Sequence, residues 1–275
     1  MNDAPIRFPI EPEIPDTMHV DKDRWSMRWL VGGEVRTWPG EGADVLSPVC
    51  VAQADGKLER VVVGRTPKLD SKAALEALEA AKRAWDGGRG DWPTMRVARR
   101  IGAMERFVEA MAKAREVMVR LLMWEIGKTR KDAETEFDRT LVYVRDTIEA
   151  LKDLDRQSSR FVMEEGFLGQ IRRSPLGVVM CMGPFNYPLN ETFTTLIPAL
   201  VMGNTVVCKL PKYGALLHAP LFEAMRDCFP PGAINVITGD GPTTVGRRGR
   251  PMRGTSADVD DAARLDCGCD QQWSS

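Results

Sequence analysis

Three short apolar runs constrain this chain most: "GVVMCM" (177–182), "NTVVCKL" (204–210) and "AINVITG" (233–239). Between them lie two stretches of helical character, "ETFTTLIPALVMG" (191–203) and "LLHAPLFEAMRDCF" (216–229). A strand that is apolar without alternation reads as buried on both faces, which is the habit of parallel sheets. The order β-α-β-α-β therefore predicts an α/β fold with a doubly wound parallel sheet. In such sheets ligands bind beyond the carboxyl ends of the strands. Those ends carry "MGPFNYP", "KLPKYG" and "TGDGPTTVG", three polar or glycine-rich segments far apart in sequence that the topology brings together.

The preceding residues supply what surrounds that sheet. Residues 1–18, rich in proline and acids, read as a disordered or surface-draped arm. Between 19 and 158, "RWSMRWLVGGEVRTW" and "VCVAQADGKLERVVVGRT" each read as a hairpin, around Gly32-Gly33 and Asp55-Gly56. The period then changes to three and four residues, first from Ala74 to Trp85, then from Ile101 to Leu122, then from Phe137 to Ile148. This is a helical layer with solvated outer faces. A further hairpin is expected at 159–175 around Glu165-Gly166, before the βαβαβ unit at 176–246. After Gly246 periodicity ends, and 247–275 reads as an unrelated tail such as a frameshift or premature end would produce.

Charge excludes several function classes. Lysine and arginine total 38 against 39 acids, a net charge of −1, which gives no general attraction to nucleic acid or an anionic membrane. No apolar run reaches the length of a membrane span, and the first residues lack a secretory pattern. Six cysteines are too few for a disulfide scaffold, so reduced thiols in a cytoplasm are expected. The dinucleotide fingerprint G-x-G-x-x-G is absent after the first strand, where Gly183 and Pro184 stand instead. Cys267 and Cys269 alone are too few ligands for a metal site, and none is expected.

The segment "SPLGVVMCMGPFNYPLNETFTTLIPALVMGNTVVCKLPK" resembles the core signature of the aldehyde dehydrogenase superfamily. The resemblance runs over roughly residues 20 to 246 and includes "WEIGKTRKDAETEF" and "PPGAINVITGDG". "PFNYP" and "EFDRT" look most like the NADP-dependent, non-phosphorylating glyceraldehyde-3-phosphate dehydrogenases. The resemblance implies the N-terminal part of that fold: an incomplete doubly wound sheet, a helical layer, and a protruding hairpin of the kind that joins family members into homo-oligomers. It implies oxidation of a small-molecule aldehyde, glyceraldehyde 3-phosphate to 3-phosphoglycerate, with NADP, or with NAD in its place.

Residue roles follow from that resemblance. Asn186 matches the asparagine whose side-chain amide helps to stabilise a tetrahedral oxyanion, a catalytic role that also contacts substrate. From the local sequence alone it reads first as an Asx turn at a strand end. Gly183, Pro184, Phe185, Lys209, Lys212 and Gly241 match cofactor-binding positions. A cation at Lys212 suits the 2′-phosphate of NADP, whereas an acid there would hold the 2′-hydroxyl of NAD. Without the motif, Lys209 reads as a lysine ending a strand and Lys212 as a surface lysine in a turn. Arg139 matches a substrate-binding arginine able to grip a phosphate, and Tyr187 a contact beside it. Arg139 reads equally as a member of a surface ion pair with Glu134, Glu136 or Asp138. His218 is expected to be structural, with His19 in the arm.

Family members take their nucleophilic cysteine and general-base glutamate from beyond the third strand, where the resemblance stops. The chain is therefore expected to be inactive alone. Other readings are a dehydrogenase for a different aldehyde or semialdehyde, a non-catalytic NADP-binding protein, or an inert truncated fragment.

Overall fold

Two hairpins open the fold, as their turn residues dictate. The first joins β1 (Arg28–Val31) to β2 (Glu34–Thr37), and the second joins β3 (Gly42–Ala52) to β4 (Leu58–Pro67). The computed structural model describes residues 7–244; residues 1–6 and the expected tail at 247–275, with Cys267 and Cys269, lie outside the described residues. Residues 7–18 are draped over the second hairpin, where Ile10 bridges Ala52. The Trp124 indole donates to the Met18 carbonyl at 2.7 Å.

Five helices follow: α1 (Ser71–Trp85), the single turn α2 (Asp91–Thr94), α3 (Val97–Lys113), α4 (Arg115–Ile126) and α5 (Arg130–Ser158). Asp70 caps α1 by accepting from the Ala73 N–H at 2.8 Å, and Thr129 caps α5 by accepting from Asp132. The hairpin of β5 (Val162–Glu164) and β6 (Phe167–Gly169) then stands as a separate two-stranded sheet with every strand residue exposed. The remainder alternates: β7 (Val178–Met182), α6 (Pro188–Val201), β8 (Thr205–Lys209), α7 (Phe222–Cys228), β9 (Ile234–Ile237) and the turn α8 (Gly241–Thr244).

The main sheet has the order β2-β1-β9-β8-β7, with β7, β8 and β9 parallel. The first hairpin extends it, β1 lying antiparallel to β9 through Leu30 and Val236. Alternate residues serve opposite faces. Val206, Cys208, Ile234 and Val236 join a large core with α3 to α7. Val207 and Ile237 meet the alanine face of α1 at Ala73, Ala77 and Ala81.

Three local differences from the sequence reading have physical causes. The run "GVVMCM" was expected to be buried on both faces, yet Met182 is 57% exposed and Met180 is also exposed. Among the described residues β7 is the edge strand, with no neighbour on its outer side. Leu216–Leu221 forms a 3-10 turn ahead of α7, because Pro220 has no N–H for a continuous α-helix. Pro188 opens α6 three residues earlier than the sequence pattern suggests, at a position where a missing N–H costs nothing.

Candidate functional site

The register of the parallel strands sets the site. Met182 pairs with Lys209, and Lys209 with Ile237, so β7, β8 and β9 release their loops side by side. Each loop is then pinned by its own contacts. A Cβ on Gly183 would lie 1.8 Å from Thr192 Oγ1, so the first loop presses on α6 more closely than any larger residue allows. The second loop turns at Gly214, where φ is 90° and a Cβ would lie 2.3 Å from Pro188. The third is tied at its start to the end of β4 through Thr238, whose hydroxyl donates to the Pro67 carbonyl at 2.7 Å.

On this rim the first loop presents Phe185, Asn186 and Tyr187 to solvent. The Asn186 side chain makes no hydrogen bond among the described residues, so it does not close an Asx turn there. Phe185 stands edge-on to Tyr213 of the second loop, ring centroids 6.5 Å apart, so the two loops touch. Lys209 is only 9% exposed and its Nζ donates to the Leu210 carbonyl at 2.7 Å. Burial lowers its pKa, and Asp240 of the third loop works against that shift. Lys212 is exposed and lies 5.6 Å over the Tyr213 ring, with no ion-pair partner among the described residues. Gly241 is open on all sides, since a Cβ there would meet nothing within 4 Å.

Arg139 is exposed on α5 and takes part in no ion pair among the described residues. The acids near it are already engaged: Asp138 with Arg115 at 2.8 Å, Glu134 with Arg130 at 3.0 Å, and Glu136 with Lys128. The hydroxyl of its neighbour Thr140 lies 3.3 Å from Asn190 Oδ1, where this part of α5 meets the first turn of α6.

Two buried carboxylates hold the rim from beneath, and the sequence reading missed both. Glu136, 2% exposed, accepts from the N–H groups of Leu189 and Asn190 at 3.1 and 3.2 Å, capping α6 from another helix. Glu125, 4% exposed, accepts from Gly214, Leu216 and Leu217 at 2.9 to 3.1 Å and so fixes the second loop. Burial pushes its pKa up to about 7, against the downward pull of those N–H groups. The available signal was their position: Glu125 follows Leu121 and Leu122 by four and three residues, a helix spacing that belongs to the core.

His218, expected to be structural, is buried. Its Nδ1 lies 2.9 Å from the Gly214 carbonyl, and burial pushes its pKa down to about 4. His19 is exposed in the arm. Among the described residues no cluster of His, Cys, Asp or Glu could hold a metal, and no helix is long and apolar enough to cross a membrane. A cavity of about 290 Å³ lies away from the rim, between the arm and the second hairpin, lined by Ile14, Val51 and Val63 among others. The rim itself is an open face.

Residues 55–247 match the model of the aldehyde dehydrogenase family. The chain belongs to the aldehyde dehydrogenase family. Among aldehyde dehydrogenases it is 28% identical over 207 residues to the N-succinylglutamate 5-semialdehyde dehydrogenase of Burkholderia thailandensis, a match covering 75% of this chain and 41% of that protein. It is similar in structure to the NADP-dependent glyceraldehyde-3-phosphate dehydrogenase of Bacillus halodurans solved with NADP, at a TM-score of 0.64 and 29% identity over 80% of this chain and 45% of that one. The indole-3-acetaldehyde dehydrogenase of P. syringae solved with NAD+ gives a TM-score of 0.65 at 27% identity, covering 80% and 42%. The chain thus spans about two-fifths of the length of the aldehyde dehydrogenases it matches.

Proposed function

We propose that this chain carries the oxyanion and cofactor loops of an NADP-dependent aldehyde dehydrogenase, with glyceraldehyde 3-phosphate as the substrate. The carrying observation is Asn186: an exposed amide without a partner among the described residues, held on a rim where three strand ends meet. An amide donates to a developing negative charge without titrating, which a carboxylate cannot do.

NADP fits the residues present. Among the described residues Lys209 is a buried ammonium with one carbonyl acceptor for its three donors, and Lys212 is an exposed cation with no ion-pair partner. In this reading Lys209 donates to the ribose, Lys212 pairs with the 2′-phosphate, and Gly183, Pro184, Phe185 and Gly241 line the cofactor's path. NADP supplies the hydride acceptor when bound. Asn186 donates its amide N–H to the oxygen that becomes negative when a thiolate adds to the aldehyde carbon. Arg139 grips the substrate phosphate through parallel N–H bonds, and Tyr187 walls the reacting end.

The thiolate is assigned to a part of the family fold outside residues 7–244. Burial raises the thiol pKa of Cys208 and of Cys228, the opposite of what a nucleophile requires. The test is to translate the encoding DNA beyond codon 246 in all frames and to assay the chain that restores the family sequence. That chain oxidises glyceraldehyde 3-phosphate in preference to semialdehydes, and Asn186→Ala lowers kcat by about 10²- to 10³-fold. Absence of family sequence in every frame, or indifference to the phosphate, contradicts the reading.

A further inference from the structure

The N-terminus of α6 follows the first parallel strand, the position where many dinucleotide folds seat a pyrophosphate. Here the position is filled from within. Glu136 Oε1 takes both the Leu189 and Asn190 N–H groups, while its other oxygen, Oε2, faces the ammonium of Lys128. That ammonium in turn lies 3.8 Å over the ring of Tyr187. Tyr187 sits at the head of α6 with no side-chain cap of its own, directly after Asn186. The chain of contacts is therefore continuous: α6 amides, Glu136, Lys128, the Tyr187 ring and the Asn186 loop.

We propose that Lys128 and Glu136 are positioning residues, which hold Tyr187 and through it the exposed amide of Asn186. This deepens the functional reading above and rests on it for the meaning of Asn186. A helix can be capped by a polar side chain at its own N-cap, with no partner helix involved. A buried carboxylate from α5 and a lysine stacked on the preceding tyrosine fix more than the helix: they fix the direction in which the chain enters it. The split between the two oxygens makes the claim separable from folding. Glu136→Gln keeps an acceptor for both amides and removes only the charge that holds Lys128, and Lys128→Met keeps the length of the stem without the ammonium.

The experiment is NMR of the full chain with labelled lysine, tyrosine and asparagine, run on wild type, Glu136→Gln, Lys128→Met and Lys128→Arg. In wild type the Lys128 ε-methylene protons are shifted upfield by the Tyr187 ring. That upfield shift is lost in Glu136→Gln, and in both Glu136→Gln and Lys128→Met the Asn186 side-chain amide signals move, while the Leu189 amide stays protected. Lys128→Arg, which can both pair and stack, restores the wild-type Asn186 signals. Asn186 and Tyr187 signals unchanged in Glu136→Gln and Lys128→Met overturn the proposal, as does loss of Leu189 protection together with general unfolding in both variants. NADP titration of the wild-type sample reads the functional proposal separately: absence of binding counts against that proposal, and the shifts still decide the positioning role.

Discussion

Glu125 is the residue whose surroundings conflict most. Three backbone N–H groups favour its charged form, and burial favours the neutral one and wins, giving a pKa of about 7. In the unfolded chain the same carboxyl titrates near 4.3. The folded state therefore holds the proton more tightly, and the stability this provides is full below about pH 4 and lost as pH rises through about 7. The loss is on the order of 3 kcal/mol for a group this deeply buried. His218 has the opposite sign: its pKa is lowered to about 4, so its contribution is present above about pH 6.5 and lost as pH falls. Between pH 6.5 and 8 the Glu125 loss outweighs the remaining His218 gain, and comparison with Glu125→Gln isolates it. Urea unfolding across that window shows wild type losing stability with rising pH and Glu125→Gln showing a flatter profile; equal slopes in the two proteins contradict the assignment. The residue scale is also where the sequence was hardest to read. Asn186, Lys209 and Lys212 lie at or just beyond the ends of β7 and β8 in the segment that carries the family resemblance, whereas Glu125 and Glu136 sit inside helices, where acids ordinarily face water.

At the scale of elements, α6 contains Pro198, which cannot donate to the Thr194 carbonyl four residues earlier. Tyr143 of α5 takes that place, its hydroxyl donating to the Thr194 carbonyl at 3.3 Å. Tyr143→Phe is expected to cost about 1 kcal/mol of unfolding free energy. In a Pro198→Ala background, where the backbone N–H is restored, the same substitution costs measurably less; equal costs in the two backgrounds remove the compensation. The strands and helices from 177 to 239 were legible because each apolar run has the length and composition of one element. Pairing was not legible in the same way. Nothing local to Leu30 specifies Val236 as its partner, since that contact joins residues about 200 positions apart and depends on the assembled sheet. The 3-10 turn at Leu216–Leu221 was legible in principle, because Pro220 stood in the sequence while the helical period ran through it.

At the scale of the whole molecule, the described residues leave apolar surface open in two places. Met180 and Met182 lie on the unpaired edge β7, and Phe161, Val162, Met163, Phe167, Leu168 and Ile171 are exposed on and around the β5–β6 hairpin. Open strand edges and apolar patches of this kind favour association. Light scattering on the purified chain is expected to show mass rising with concentration, and Met182→Lys with Phe167→Lys to suppress that rise. A constant monomer mass up to high concentration would contradict it.

We propose that the rim at the ends of β7, β8 and β9 binds NADP. Calorimetric titration of the full chain with NADP and with NAD tests it most directly, alongside Lys212→Ala. NADP is expected to bind more tightly than NAD, with Lys212→Ala removing most of that preference while leaving NAD affinity near its original value. Binding of neither nucleotide, or an NADP preference that survives Lys212→Ala, would contradict it.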